Sequence, residues 1–275
     1  MGNTPAEAGG KATTMTTSAQ LHLVSPGLRS VTTSTQVLDC FVDHEVLGPT
    51  QVARELGVAK STAHQMLTSL ANGGLLERTS SGRYRLSLRL FDYGQLVLDR
   101  LPIRRLARPA LVALHKQVGH VVQLGLPANG YVIYVERFGH DPLRPQISGE
   151  WMRKVGGYAS SAGRAMAAAD PAIERATLAV PMVRHTPQTV TDPARLRRIL
   201  ARARTDGWVC SVDESVAGFT SIAAPVRDRA GAAVAAVSVV GPSAKMVSHR
   251  TDSLVRALLG AVRRIGHQCD EYGDG

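Results

Sequence analysis

Ser61, Thr62, His64, Gln65, Thr68, Ser69 and Asn72 gather hydroxyls, amides and an imidazole on one side of a segment whose other side is apolar. Groups of this kind both donate and accept hydrogen bonds, and a side-chain amide can bond adenine at two atoms in the major groove. A face that merely met water would be richer in Lys and Glu. A few residues further on, Arg78, Arg83 and Arg85 are interleaved with Tyr84 and Leu86. That alternation lets cations meet phosphate while the other side packs. Thr50 and Lys60 open the two segments that flank the turn before this surface, and they complete the set of residues expected to touch duplex DNA.

The elements that must hold these groups are legible in the spacing. From Thr50 to Leu70, Val52 and Leu56 lie four apart, Gly57 supplies a reversal, and Val58 buries the turn. Ala63, Met66, Leu67 and Leu70 then fall at i, i+3, i+4 and i+7, the stripe of an amphipathic helix. Two helices joined this way form a helix-turn-helix. Gly73 and Gly74 end the second helix, and LLERT and RYRLSL around Ser80-Ser81-Gly82 give two short strands, a wing. A leading helix from Ser34 to Val42, with Val37, Leu38 and Phe41 inward, completes a winged module of a size (about 60 residues) that folds alone.

Composition narrows the function classes. The chain has 275 residues and 44% hydrophobic content, enough for two domains. Aromatics make up only 4%, which disfavours a single-strand binder built on stacking platforms. The net charge of +10 matters less than its placement. Residues 30–92 balance six basic against six acidic side chains, yet 56–91 carry five basic side chains against Glu77 alone. Positive charge is therefore concentrated on the second helix and wing, as phosphate contact requires. Cys40, Cys210 and Cys269 are too dispersed for a disulfide framework or a metal knuckle, which fits a reducing cytoplasm. No run is long and apolar enough for a membrane span. Residues 1–28, rich in Thr, Ala, Gly and Ser, are expected to be a disordered tail.

Catalytic constellations are missing. Ser160, Ser161 and Ser221 lie in no GxSxG elbow, and there is neither a phosphate loop nor a GxGxxG fingerprint. His115 and His120 are five apart, off metal spacing on a helix, and no HExxH occurs. No catalysis, cofactor or metal is expected. A winged helix that serves protein contacts is the alternative, and the basic, acid-poor reading face weighs against it.

The second half reads as a sensor. LRLFDYGQLVLDRL is a linker helix in which Leu90, Val97 and Leu101 offer a dimer seam, and Arg100, Arg104, Arg105 and Arg108 cluster beyond it. Strands HVVQLGLP and YVIYVERF flank Asn129-Gly130, a hairpin signal. Helices follow at Ser161 to Ala169 and Pro193 to Thr205, capped by Ser160-Ser161 and Asp192-Pro193. Three strands and a helix from Ser248 to His267 close the chain. The order predicts an α+β domain, an antiparallel sheet with helices on one side.

From about Ser30 onward the chain resembles the IclR-type bacterial transcriptional regulators. The resemblance rests on GVAKSTAHQMLTSLANGGLLER, GRYRLSLRLFDYG, GGYASSAGRAMAA, HTPQTV and DGWVCSVDESVAGFTSIAAPVRDRAGAAVAAVSVVGP in that order. It implies a winged helix-turn-helix domain (29–92), then a linker helix and a GAF-like effector-binding domain (93–275). It also implies a homodimer or dimer of dimers on palindromic operator DNA, most often as a repressor, under a small-molecule effector. By the same resemblance Tyr158, Ser160, Ser161, Ser211, Asp213, Ser221 and Ser238 are effector-binding candidates.

The chain departs from the family at telling places. Gln65 stands where an Arg is common, which shifts recognition from phosphate toward adenine. Gly156, Gly157 and Tyr158 replace a Pro-Leu-His, and Arg164 replaces the usual Lys. Ser211 stands at an often acidic position and Val240 at one that can be serine. Fewer polar anchors predict an effector larger or more apolar than a two- or three-carbon acid.

Overall fold

The computed structural model describes residues 28–139, 155–246 and 251–273. Apart from Leu28, the expected tail at 1–28 lies outside the described residues, as does the expected helix start at Ser248.

The N-terminal helices are α1 (Arg29–Asp39), continued by a 3-10 turn at Cys40–Val42, α2 (Pro49–Leu56) and α3 (Lys60–Asn72). The wing is β1 (Leu76–Arg78) and β2 (Tyr84–Leu86), antiparallel with Glu77 opposite Arg85. Val37, Phe41, Leu47, Val52, Ala63, Leu67, Leu70, Leu76 and Tyr84 close one core. The helical and wing positions follow from the helical or alternating spacing, whereas Leu47, in the segment before α2, was not expected. Gly57, at φ 65°, makes the left-handed turn between α2 and α3 that a side chain would strain.

Beyond the wing run α4 (Leu88–Asp99) and α5 (Pro102–Val118), separated where Pro102 cannot continue the first helix. The sheet that follows contains β3 (Val121–Ala128), β4 (Tyr131–Phe138), β5 (Val155–Gly156), β6 (Val209–Val212), β7 (Phe219–Arg227) and β8 (Ala233–Pro242). The strand order is β5-β4-β3-β8-β7-β6, antiparallel throughout. Helices α6 (Ser161–Ala169), α7 (Pro171–Ala179) and α8 (Pro193–Asp206) precede β6, and the single turn α9 (Ser243–Met246) and α10 (Thr251–Gly273) follow β8.

The expectation of helices on one side does not hold: both faces of the sheet are covered. On one face α5 and α10 pack Leu111, Leu114, Leu258 and Ile265 against Val122, Leu124, Ile222, Val237 and Val239. On the other, α6 and α8 pack Ala162, Met166, Leu196 and Leu200 against Val132, Val209, Ala223 and Ala236. The strands signal this, since β8 is apolar at nearly every position and β7 is apolar from Ile222 to Val226, the composition of strands buried twice. Helix α7 and the short β5 were not expected from the sequence.

Two irregularities shape the second face. The register of β3 with β4 slips between Leu124 and Gly125, so Val135 has no opposite number and β4 carries a bulge. At the start of α6, Gly163 lies so close to the preceding loop that a Cβ there would sit 2.6 Å from the Gly157 carbonyl oxygen. Backbone is what it would strike, and backbone yields little. Gly163→Ala should therefore cost about 1–3 kcal/mol in chemical denaturation. Gly260→Ala, where a Cβ would meet only Arg264 Nη1 at 3.5 Å, should be neutral or stabilising by up to about 1 kcal/mol.

Candidate functional site

On α3, Lys60, Ser61, His64, Gln65, Ser69 and Asn72 are exposed while Ala63, Leu67 and Leu70 are buried. Thr62 and Thr68 are half-buried at the edge of the face, and Thr50 is exposed on the first turn of α2. Thr68 Oγ1 lies 3.2 Å from Tyr84 Oη, which joins the reading helix to the wing. A polar helical face beside a winged hairpin can enter a major groove with its side chains toward base edges.

The wing arginines have structural partners. Arg83 Nη2 donates to the Val46 carbonyl (2.6 Å) and to Gln51 Oε1 (2.8 Å), and Gln51 Oε1 also accepts from the Gly48 amide at the start of α2. Leu47 and Tyr84 exchange backbone hydrogen bonds, adding a one-residue third strand to the hairpin. Arg85 donates through Nε and Nη2 to Glu77 Oε2. Arg89, absent from the expected set, donates to the Gly73 carbonyl at the C-terminus of α3 and sits over the Tyr93 ring. Arg78 is exposed at the wing tip.

In the second half a cleft opens on the sheet face covered by α6. Strand β3 gives it Gln123, β4 gives Tyr134 and Arg137, and β5 gives Val155. From β6, β7 and β8 come Ser211, Phe219, Thr220, Ser221 and Val240, and the loop between β6 and β7 adds Ser215 and Val216. Ser160 stands at the mouth of α6, where its hydroxyl accepts the Gly163 amide at 3.0 Å. Tyr134 is held by hydrogen bonds with Ser160 and Ser238, and burial pushes its phenol up to about 12. It is a neutral hydrogen-bonding group at ordinary pH.

Of the seven candidates, Ser160, Ser211 and Ser221 line this cleft. Ser238 is fully buried behind it, donating to Gln123 Oε1 at 3.4 Å. Tyr158 turns away and bonds Val183 and His185. Asp213 accepts from Ser243 Oγ at 2.6 Å, and Ser161, the first residue of α6, is buried. The cleft residues not expected from sequence are chiefly Gln123, Tyr134, Arg137 and Phe219. Gln123, a polar residue inside a strand-like run, was the available signal.

The loop over the cleft is fixed by one buried ion pair. Arg164, fully buried on α6, gives Nη1 to Glu214 Oε1 (2.7 Å), Nη2 to Glu214 Oε2 (2.5 Å) and Nε to the Tyr158 carbonyl (2.7 Å). The Val190 amide also bonds Glu214 Oε2, and the hydroxyls of Thr186 and Thr189 bond the Glu214 carbonyl. Ser215 Oγ donates to the Ala159 carbonyl. Three loops thus meet on one guanidinium fork, which a point-charge ammonium reproduces only in part.

Two arginines of the basic cluster after α4 are paired as well. Arg104 Nε lies 2.6 Å and Arg108 Nη1 3.6 Å from Glu136 Oε1. Among the described residues there is no group of His, Cys, Asp and Glu that would hold a metal ion, and no helix is long and apolar enough to cross a membrane.

Residues 30–80 match the family profile described as IclR helix-turn-helix domain, and residues 95–267 match Bacterial transcriptional regulator IclR C-terminal. The chain is 34% identical over 198 residues to the Glycerol operon regulatory protein of Streptomyces griseus, which covers 71% of this chain and 77% of that one. It is 29% identical over 245 residues to the HTH-type transcriptional regulator BhcR of Paracoccus denitrificans, covering 88% and 87%. A solved IclR homologue from Microbacterium hydrocarbonoxydans, complexed with 4-hydroxybenzoate, matches with a TM-score of 0.68 at 28% identity over 87% of this chain and 98% of that one.

Glu214→Gln removes one partner of a buried pair and leaves the other charge uncompensated. Its cost in urea denaturation should be about 3–5 kcal/mol. Arg164→Lys should cost less but more than a surface change, because the ammonium keeps its charge and loses the fork.

Proposed function

Given that the chain belongs to the IclR family of bacterial transcriptional regulators, we propose that it is a repressor released by a small organic acid. That acid is larger or more apolar than a two- or three-carbon acid. One observation carries this: a cleft in the sensor half sets several hydroxyls and one arginine among valines and a phenylalanine. The relative that holds 4-hydroxybenzoate, an aromatic acid, supports the same class. Repression is supported by the reading head, whose core lies wholly within residues 37–84 and whose polar face is exposed. In a repressor released by its ligand, the effector acts by favouring a state of the protein that grips the operator less.

In this proposal the DNA-binding domain spans 29–92, and the linker helix and effector domain span 93–275. Gln65 and His64 read bases, Ser61, Thr62 and Thr68 flank them, and Thr50, Lys60 and Arg78 meet phosphate. Arg83 and Arg85 serve the shape of the wing first, through Val46, Gln51 and Glu77. The protein is a homodimer on a palindromic operator, since α4 buries none of its residues and leaves Leu88, Phe91, Leu96 and Val97 exposed.

Transcription from the promoter beside its own gene, with purified protein and RNA polymerase, tests the reading: transcript should fall on adding protein and return with an aromatic acid. A rise on adding protein would overturn repression. In fluorescence anisotropy, Gln65→Ala should cost about 1–3 kcal/mol on operator and little on random duplex. Lys60→Ala should weaken both and lower the salt slope by about one. Equal losses on both duplexes for Gln65→Ala would remove its base-reading role.

A further inference from the structure

Gln123 sits in the middle of the sheet, opposite Ser238 of β8, and lines the cleft although only 7% of it is exposed. The two ends of its carboxamide differ. Its oxygen accepts from Ser238 Oγ at 3.4 Å, whereas its NH2 group bonds nothing among the described residues. A count of protons supports this orientation, because each hydroxyl has one hydrogen to give. Ser238 gives its hydrogen to Gln123, so it accepts from Tyr134, and Tyr134 in turn accepts from Ser160. Ser160 is free to donate because its oxygen already accepts from the Gly163 amide, a group that can only donate. The chain thus closes at both ends, from a helix amide to an amide oxygen. Turning the carboxamide over would require all three hydroxyls to reverse together. One row away on the same face, about 7 Å along the strands, are Ser211 and Ser221. Their hydroxyls also bond nothing among the described residues, but a hydroxyl serves as donor or acceptor. The Gln123 NH2 group only donates.

Resting on the effector-cleft reading above, we propose that Gln123 is a specificity-determining residue of the cleft, and that its NH2 group donates to an oxygen acceptor on the effector. A buried donor left without an acceptor is costly, so a ligand that sets carbon or a second donor at that place is rejected. The oxygen belongs either to the carboxylate or to a neutral substituent on the apolar body. Ser238, fully buried behind the cleft, is a positioning residue. It acts through Gln123, by holding the carboxamide with its donors toward the ligand.

Calorimetry on the full chain tests this with two pairs of probes matched in shape. Between 4-methoxybenzoate and 4-ethylbenzoate a substituent oxygen becomes CH2; between benzoate and benzamidine the carboxylate oxygens become N–H donors. The unaltered chain should favour the oxygen-bearing member of at least one pair by about 10–100-fold. Gln123→Leu separates the two sources of oxygen. If the substituent is read, the variant should bind 4-methoxybenzoate and 4-ethylbenzoate alike and leave benzoate unchanged. If the carboxylate is read, all three benzoates should weaken together by about the same factor. Ser238→Ala frees the carboxamide to turn, so the disfavoured member of the pair should gain affinity, a change that misfolding does not produce. The proposal is overturned if the parent discriminates within neither pair, if Gln123→Leu binds every probe like the parent, or if Ser238→Ala keeps the parent's selectivity. Operator anisotropy with the same acids separates the two readings. If the acids bind and release operator but Gln123→Leu binds them like the parent, the effector reading stands and the role of Gln123 falls. If no acid binds the parent, the effector reading falls and takes Gln123 with it.

Discussion

The sensor half depends on the fork between Arg164 and Glu214. Two charges without water are costly, and only a saturated set of hydrogen bonds makes such a pair tolerable. Here backbone groups of two other loops add to the pair, the Tyr158 carbonyl on Arg164 Nε and the Val190 amide on Glu214 Oε2, while two threonine hydroxyls hold the Glu214 backbone carbonyl. The pair therefore fixes where those loops sit relative to α6. The loop that sets Ser215 and Val216 over the cleft takes its place from the same lock. An apolar pair could fill the volume but would leave the Tyr158 carbonyl and the Val190 amide without these partners.

The DNA-binding half uses charge in another way. Its arginines are spent in part on shape, with Arg83 tying the wing to the start of α2 and Arg89 closing the end of α3. A count of positive charge overstates how many cations are ready for phosphate. The polar face of α3 carries the side chains proposed to read sequence, and Gln65 on it is an exposed amide.

Regular periodicity was legible in the chain, and departures from it were not. The stripe at Ala63, Met66, Leu67 and Leu70, the turn at Gly57, the hairpin at Asn129-Gly130 and the caps at Ser160 and Asp192 all act locally. Neighbours a few residues away decide such features. The covering of both sheet faces depended on long-range packing, though the largely apolar β8 and the apolar run Ile222–Val226 of β7 carried the sign of it. Arg137 was hidden because a bulge is a mismatch between two strands, and no single strand displays it. Three of the serines at family positions do face the cleft, whereas Tyr158 and Asp213 are drawn off by partners far along the chain.

The bulge also joins two parts of the molecule that sit on opposite sides of a sheet. Arg137 and Glu136 are consecutive, yet one looks into the cleft and the other holds Arg104 and Arg108 on the first turns of α5. Helix α5 begins three residues after α4 ends. One peptide bond therefore separates the cleft wall from the carboxylate that grips α5, the helix that follows α4. The sheet acts at that spot as a thin diaphragm, with opposite charges fastened to its two surfaces at adjoining points.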